Sequence, residues 1–516
     1  MEQAKSAARL STRAPRATMH GTQKGVTSMT HPAFTRLGIP QDTLFIGGKW
    51  TGSDSGETVE VRNPKDETVV ATVCQGTASD AEAAIAAART AFPGWSRQSA
   101  IARAGLLQRF AALIDEHAAT LAELLVSEQG KPLNEANIEV GFTSLLLRHA
   151  AESARWIEGE ILPGDAAHEQ IWIQRVPYGV VAAMTAWNFP AALFARKVGP
   201  ALVAGNTIVV KPHELTPLSS LYLAALGARA GIPDGVLNVV LGAGREVGAQ
   251  LVMHEQTDLI SLTGSVRAGG EIYAAAAPRL KPLRLELGGK APFIVMDDAN
   301  IDVAVSAAIA SKFFAGGSVC TSNDRMYIHA RVYEEFIEKF LSAVKALRVG
   351  DPMTDVNIGP RISKGEVEKL RQISAKALDQ GATKLWEHEG GAEIFSRGNW
   401  FMPTIFSVPS NDLRIMKDET FGPMVAAMKV SDFEEALSYA NESNYGLSAY
   451  VFTESNARIM RCTGELNFGE IYINRPGGES VHGFHTGYKM SGLGGEDGKH
   501  GIEGFMRKKT MYNRFG

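Results

Sequence analysis

The sequence predicts an α/β protein made of two doubly wound units, each a mostly parallel sheet with helices on both faces. Two series of short apolar runs carry that expectation. The first falls at residues 180–187, 207–210, 237–241 and 259–263, the second at 283–287, 292–296, 424–430 and 447–452, with helical stretches between them. A strand that reads as a continuous apolar run, without polar alternation, is buried on both faces, as in a parallel sheet covered by crossover helices. The third observation is size: 516 residues, 45% of them apolar, suffice for two or three domains. No short-period repeat or low-complexity linker interrupts residues 42–516, so the domains are expected to interleave rather than follow one another.

Residues 1–41 differ from the rest. Lys5, Arg9, Arg13, Arg16, Lys24 and Arg36 face one acid, Glu2, among many Ser, Thr and Ala. That composition fits either a targeting-like extension or a disordered tail with an upstream start, since Met19 and Met29 can both initiate. Residues 45–73 then read as short strands with polar turns. Ser79 and Glu82 have capping-box spacing ahead of an Ala-rich helix to Phe92. Ile101, Leu106, Phe110, Ile114, Leu121 and Leu125 line one helical face that stops at Gly130-Lys131-Pro132.

The bulk composition excludes several classes. A formal charge of −4 without a Lys/Arg run argues against nucleic-acid binding. No stretch approaches the roughly 18 uninterrupted apolar residues of a membrane span. Cys74, Cys320 and Cys462 lie far apart, without metal-ligand or disulfide spacing, so no metal is expected and a reducing, cytoplasmic setting fits, organellar targeting by residues 1–41 being the alternative.

In doubly wound sheets, ligands bind beyond the carboxyl ends of the strands, and four segments there carry reactive residue types. Cys320 follows a glycine pair in Gly316-Gly317-Ser318-Val319-Cys320; it is either an exposed nucleophile or a small buried hydrophobe. Glu286 ends an apolar run before Gly288-Gly289-Lys290, where desolvation suits it as a general base and a backbone amide is the alternative partner. Asn188, in Trp187-Asn188-Phe189-Pro190, offers an amide to an oxyanion or caps the helix that Pro190 opens. The fourth comprises Lys211-Pro212-His213-Glu214 and Thr263-Gly264-Ser265 through Gly269. Lys211 and Glu214 can reach ribose hydroxyls, and Gly264-Ser265 entering a helix suits a pyrophosphate.

Together with Glu419-Thr420-Phe421-Gly422-Pro423 and Gly487-Tyr488-Lys489-Met490-Ser491-Gly492, these motifs resemble the aldehyde dehydrogenase superfamily, in its order and over essentially all of residues 42–516. The resemblance implies the aldehyde dehydrogenase fold: two interleaved doubly wound α/β domains plus a small β oligomerisation arm. It implies an NAD-binding domain at 42–158 and 180–287, a catalytic domain at 288–506, and the arm at 159–179 and 507–516, with the chain end pairing across a subunit. It also implies a thioester on Cys320, an oxyanion held by the Asn188 amide and the Cys320 N–H, and hydrolysis with Glu286 as base. Lys197 and Glu496 would relay protons. Trp187, Lys211, Glu214, Gly242, Gly248, Thr263, Gly264, Ser265, Gly269, Glu419 and Phe421 would hold the cofactor. Two positions depart from the family pattern: Ser318 where Gln is usual and Ala186 where Pro is usual, which bear on rate and pocket shape.

Within the superfamily, residues 468–475, 482–488 and 494–501 resemble the lactaldehyde and glycolaldehyde dehydrogenase branch. Arg196, Glu479 and His485 would then bind a polar group beside the aldehyde; the alternatives are a snorkelling surface arginine and a satisfied loop histidine. A semialdehyde, its distal carboxylate gripped by Arg196, is the runner-up substrate. A CoA-acylating dehydrogenase would not need Glu286, and a catalytically silent structural relative would not need the intact Cys320, Glu286 and Asn188. Glu214 favours NAD over NADP by accepting from the adenosine 2′-hydroxyl and repelling a 2′-phosphate, with NADP left open by Lys211 and His213 nearby. A homodimer or homotetramer is expected.

Overall fold

The computed structural model describes residues 29–390 and 393–515. The basic positions of the N-terminal extension up to Lys24, and Met19, lie outside the described residues. Residues 29–41, read with that extension, instead include the helix Pro32–Leu37, whose Phe34 and Leu37 are buried with Ile39 in the main core. The surrounding basic and hydroxyl-rich composition hid three apolar residues that dock.

Two sheets organise the molecule. The first has eight strands in the order Lys49–Thr51, Leu44–Ile46, Leu237–Val239, Thr207–Lys211, Val180–Met184, Leu259–Thr263, Leu283–Glu286 and Gly492–Leu493. Its central five are parallel and its edges antiparallel. Val180 to Ala183 and Ile208 to Val210 are fully buried, each Val or Ile contributing about 1.5–3 kcal/mol. Leu283–Glu286, grouped by its spacing with the second series, pairs instead with Leu259–Thr263 and so closes the first sheet.

The second sheet runs Thr383–Glu387, Thr404–Ser407, Met424–Val430, Asn323–His329, Ala291–Val295, Ser448–Phe452 and Glu470–Ile473, parallel except at its first edge. Its inner strand Asn323–His329 has no apolar signature, because Asp324 and Arg325 are buried in it. Arg325 donates to the carbonyls of Lys290 and Ala440 at 2.9 and 2.7 Å, so its polarity is satisfied inside the sheet.

The domains interleave. Gly492–Leu493 returns from the second sheet to pair with Leu285 and Glu286 of the first, and Asn206 donates to the Phe505 carbonyl at 2.8 Å. The Ala-rich helix is Ala78–Ser96, and its capping box uses Thr77 and Asp80 rather than Ser79 and Glu82. The amphipathic stretch is two helices, Ala100–Glu116 and Ala118–Gln129, with Ile101 exposed in the first turn. Gly130, at φ 87°, ends the second, and Leu133–Glu152 then packs along Pro190–Ala204.

A three-stranded antiparallel sheet stands apart: Glu160–Pro163, Glu169–Pro177 and Met506–Arg514. Within the chain, Arg507 to Arg514 pair with Val176 to Glu169, and Met506–Arg514 forms an edge of this sheet. Among the described residues, no helix is long and apolar enough to cross a membrane.

Candidate active site

The carboxyl ends of the first sheet's strands and the amino ends of Ala291–Val295, Asn323–His329 and Met424–Val430 in the second open onto one cleft of about 1530 Å³, so Cys320 and Glu419 precede their strands rather than follow them. Cys320, Glu286, Asn188, Arg196, Glu479, His485 and Glu496 line one part of it, and Lys211, Glu214, Gly248, Thr263, Gly264 and Ser265 another, with Trp187, Glu419 and Phe421 also on its wall. Residues up to about 300 positions apart in sequence therefore share a surface.

The cysteine loop is held in a backbone path that few residues adopt. After the helix Ile301–Phe313, Ala315, Gly316 and Gly317 take φ of 49°, 57° and 77°. A Cβ on Gly317 would stand 2.3 Å from the Gly422 carbonyl oxygen, so that position admits only glycine. Buried Arg361 donates to the Gly316 and Phe421 carbonyls at 2.6 and 3.0 Å and to the Ser318 hydroxyl, tying the cysteine loop to the Glu419–Phe421 segment. Glu135 accepts from the Ala315 N–H at 2.9 Å. Burial pushes the Cys320 thiol above its ordinary value, and a hydrogen bond with His485 opposes that shift.

Asn188 does not cap the following helix. The N–H groups of Ala191 and Ala192 donate instead to Glu139 at 2.9 and 3.2 Å, the carboxylate meeting the positive end of Pro190–Ala204. Lys131 pairs with Glu139 and donates to the Asn188 carbonyl at 2.7 Å. The Asn188 side-chain N–H₂ donates to the Ser318 carbonyl at 2.9 Å. An amide nitrogen carries two hydrogens, so a second donor is left for the cleft.

Glu286 ends the strand Leu283–Glu286, 3% exposed, and neither carboxylate oxygen has a hydrogen-bond partner. The reading of it as bound to a backbone amide is thereby excluded. Burial pushes its carboxyl up to about 8, with His485 the main opposing influence. Lys197 and Glu496 are paired at 2.7 Å, both buried, and Lys197 also donates to Ser261 at 3.0 Å. The second Glu496 oxygen is unpartnered.

Arg196 is 7% exposed and is not a surface side chain. Its guanidinium lies 2.8 Å from Asp497 and 3.5 Å from Glu479. Burial brings Asp497 up to about 6. His485, equally buried, stands 3.2 Å from Glu470 and 3.7 Å from Glu286.

On the other part of the wall, Glu214 accepts from Lys211 at 3.1 Å and from the Gly244 N–H at 2.7 Å. Burial raises its carboxyl, but Lys211 and then His213 outweigh this and bring it down to about 2. Ser265 caps Val266–Ala276 by accepting from Ala268 at 3.2 Å, leaving that helix start facing the cleft. Glu419 accepts from the Gly289 N–H at 2.9 Å, and burial holds its carboxyl near 7. Trp187 and Phe421 meet edge to face at 5.4 Å. Gly242 and Gly269 stand behind the wall, not on it. Cβ atoms there would lie 2.5 Å from the Gly76 carbonyl and 2.6 Å from Leu287, so these glycines serve close packing.

This wall fits a nicotinamide dinucleotide. It combines an open helix start, an ionised Glu214 and the buried, unpartnered hydroxyls of Thr185 and Thr263, all on the same cleft as Cys320. Sequence patterns missed the groups that stiffen the site. Arg361, Glu139 and Lys131 belong to no motif, and Asp324, which accepts from Lys290, Lys312 and the Thr420 N–H at 2.8, 2.7 and 2.9 Å, betrays itself only as a charge inside a strand.

The model of the aldehyde dehydrogenase family matches residues 50–511. The chain belongs to that family. It is 44% identical over 477 residues to the 3,6-anhydro-alpha-L-galactose dehydrogenase of Vibrio sp. (strain EJY3), an alignment covering 92% of this chain and 99% of that protein. It is 38% identical over 479 residues to the lactaldehyde dehydrogenase of Escherichia coli (strain K12), covering 92% and 99%. A solved 3,6-anhydro-L-galactose dehydrogenase in complex with NAP superposes with a TM-score of 0.90 at 47% identity, covering 92% of this chain and all of that one. This aldehyde dehydrogenase is thus an oxidoreductase acting on aldehydes with a nicotinamide cofactor.

Proposed function

We propose that the enzyme oxidises a small hydroxylated aldehyde to its carboxylate through a thioester on Cys320. The observation that carries this reading is Glu286: a buried carboxyl with no hydrogen-bond partner, sharing the cleft with Cys320 and the Asn188 amide. A desolvated carboxylate without hydrogen bonds is costly to keep and suits a base that must take a proton from water near neutral pH. The Cys320 sulfur adds to the aldehyde carbon, and the oxyanion is met by the free Asn188 N–H and the Cys320 backbone N–H. The bound nicotinamide dinucleotide supplies the acceptor for the substrate's hydride. Glu286 then takes a proton from the water that hydrolyses the thioester, and Lys197 with Glu496 carries protons outward. Glu419 and Phe421 position the cofactor, while Glu214, already ionised, favours a ribose hydroxyl over a phosphate and therefore NAD over NADP.

The substrate class follows from charge. Arg196 is already matched by Asp497 and Glu479, so the end of the pocket offers polar atoms without surplus positive charge. That favours a neutral hydroxyaldehyde of the lactaldehyde or glycolaldehyde type over a semialdehyde carboxylate. Lactaldehyde and anhydrogalactose in the names of relatives accord with it. The test is NADH production without CoA across lactaldehyde, glycolaldehyde, succinic semialdehyde and propionaldehyde. Higher kcat/KM for the two hydroxyaldehydes is expected; a requirement for CoA, or a preference for the semialdehyde, refutes the reading. The three-stranded arm, with Ile161, Leu162 and Tyr512 exposed, supports assembly into a dimer or tetramer.

A further inference from the structure

Arg361 stands behind the cleft, in the turn before the helix Lys364–Asp379, and is 2% exposed. Its backbone is fixed, the N–H donating to the Asn399 carbonyl at 2.6 Å. From there the guanidinium reaches two loops that do line the cleft. Nη1 donates to the Gly316 carbonyl at 2.6 Å, and Nη2 donates to the Phe421 carbonyl at 3.0 Å and to the Ser318 hydroxyl. Both carbonyls belong to residues in the left-handed region, Gly316 at φ 57° and Phe421 at φ 55°. For a phenylalanine that backbone is strained and persists only where its surroundings hold it.

The residues around the guanidinium leave room for it. A Cβ on Gly316 would stand 2.6 Å from Nη1, so only glycine clears that side. Ser318, where the family pattern has Gln, offers Nη2 a short hydroxyl; a longer side chain would enter the space that the guanidinium fills. All three acceptors are neutral oxygens. A planar fork serves acceptors on two sides at once in a fixed geometry, which an ammonium on a flexible stem does not. Burial lowers the guanidinium to about 10, with Glu366 opposing, and it stays charged at neutral pH.

We propose that Arg361 is the positioning residue that keeps the thiol loop, Gly316 to Cys320, in register with the Glu419–Phe421 turn that places the cofactor. The inference rests on the reading of Cys320 as the nucleophile and of Glu419 and Phe421 as cofactor residues. The two loops need such a tie. They lead into the neighbouring strands Asn323–His329 and Met424–Val430, whose pairing starts at Arg325 and Ala426, beyond both loops. Thr420 is anchored separately, its N–H donating to Asp324 at 2.9 Å, so the turn has one side fixed and Arg361 holds the other. A displacement of about 1 Å between reacting groups costs on the order of a hundredfold in rate. Loss of the fork should therefore fall hardest on hydride transfer, which needs both loops, and less on thioester hydrolysis, which uses Cys320, Asn188 and Glu286.

The test compares two reactions of Cys320, one with the cofactor and one without. Arg361→Lys keeps the charge and loses the fork. Its single-turnover rate of NADH formation from the preferred aldehyde should fall by about tenfold to a hundredfold. Hydrolysis of p-nitrophenyl acetate by the cofactor-free enzyme needs the thiol but no hydride acceptor, and its loss should be at least about three times smaller. NAD+ should also bind more weakly by fluorescence titration, because the Phe421 turn has lost an anchor. Ser318→Ala removes one acceptor and should show the same pattern on a smaller scale, which keeps the test decisive if Arg361→Lys melts below the assay temperature. Equal losses in the two reactions overturn the proposal, since a merely structural arginine would disturb the thiol loop for both. An undiminished NADH rate or an unchanged NAD+ affinity in folded Arg361→Lys overturns it as well. Ester hydrolysis retained by Cys320→Ser would instead sink the reading of Cys320, and unchanged NAD+ affinity in Phe421→Ala that of the cofactor turn.

Discussion

Replacing Glu286 by Gln should separate the chemistry of the site from its cost. The carboxyl, with an ordinary value of 4.5, titrates near 8 in its buried position. Because the folded value is raised, the native state holds a proton that the unfolded chain has released between about pH 4.5 and pH 8, so stability falls as pH rises through that window. At pH 7 the cost is about 3 kcal/mol, taking 1.36 kcal/mol for each step of one. Gln carries no such term. The variant should therefore match wild type near pH 4.5 and melt higher at pH 8, by a few degrees at a fixed scan rate. Catalysis should change the other way, since a neutral amide takes no proton from water: hydrolysis of the thioester should slow by about 10²- to 10⁴-fold. Rapid quench should show acyl-enzyme accumulating after a burst of NADH. If hydride transfer slowed equally and no acyl-enzyme formed, the assignment of Glu286 as base would be wrong. A melting difference that did not grow with pH would show that its desolvation is not what raises its pKa.

Three further substitutions bear on the nucleophile, the substrate and the cofactor. Cys320→Ser should abolish aldehyde oxidation while NAD+ binding persists by fluorescence titration; turnover within about tenfold of wild type, roughly 1.4 kcal/mol of barrier, would remove Cys320 from its role. Arg196→Leu should lower kcat/KM for lactaldehyde by about tenfold to a hundredfold and spare propionaldehyde. It should also cost about 3–5 kcal/mol of stability, because Asp497 and Glu479 lose their buried partner. A parallel loss for both aldehydes would make Arg196 purely structural. Glu214→Ser should raise kcat/KM with NADP+ by about tenfold or more by removing a carboxylate from the path of a 2′-phosphate; an unchanged NADP+/NAD+ ratio would show that Glu214 does not set the preference.

The sequence by itself determined the strand-rich α/β architecture and the identities of the reacting groups. Both depend on local patterns: unbroken apolar runs for strands buried on two faces, and short glycine-bounded motifs for Cys320, Glu286 and Asn188. Such patterns fail where a charge is buried with its partners, as at Asp324 and Arg325, because composition then reads as surface. They also fail for glycines, where Gly242 and Gly269 resemble Gly264 in sequence but answer to packing behind the cleft. Only the tertiary structure decided that Arg361 ties two loops together, that Glu139 rather than Asn188 receives the helix N–H groups, and that Arg196 is neutralised by Asp497. It also decided that Glu470 stands behind His485. Those facts are contacts between residues about 15 to 300 positions apart, and low-dielectric burial turns such contacts into charge states that no local pattern encodes.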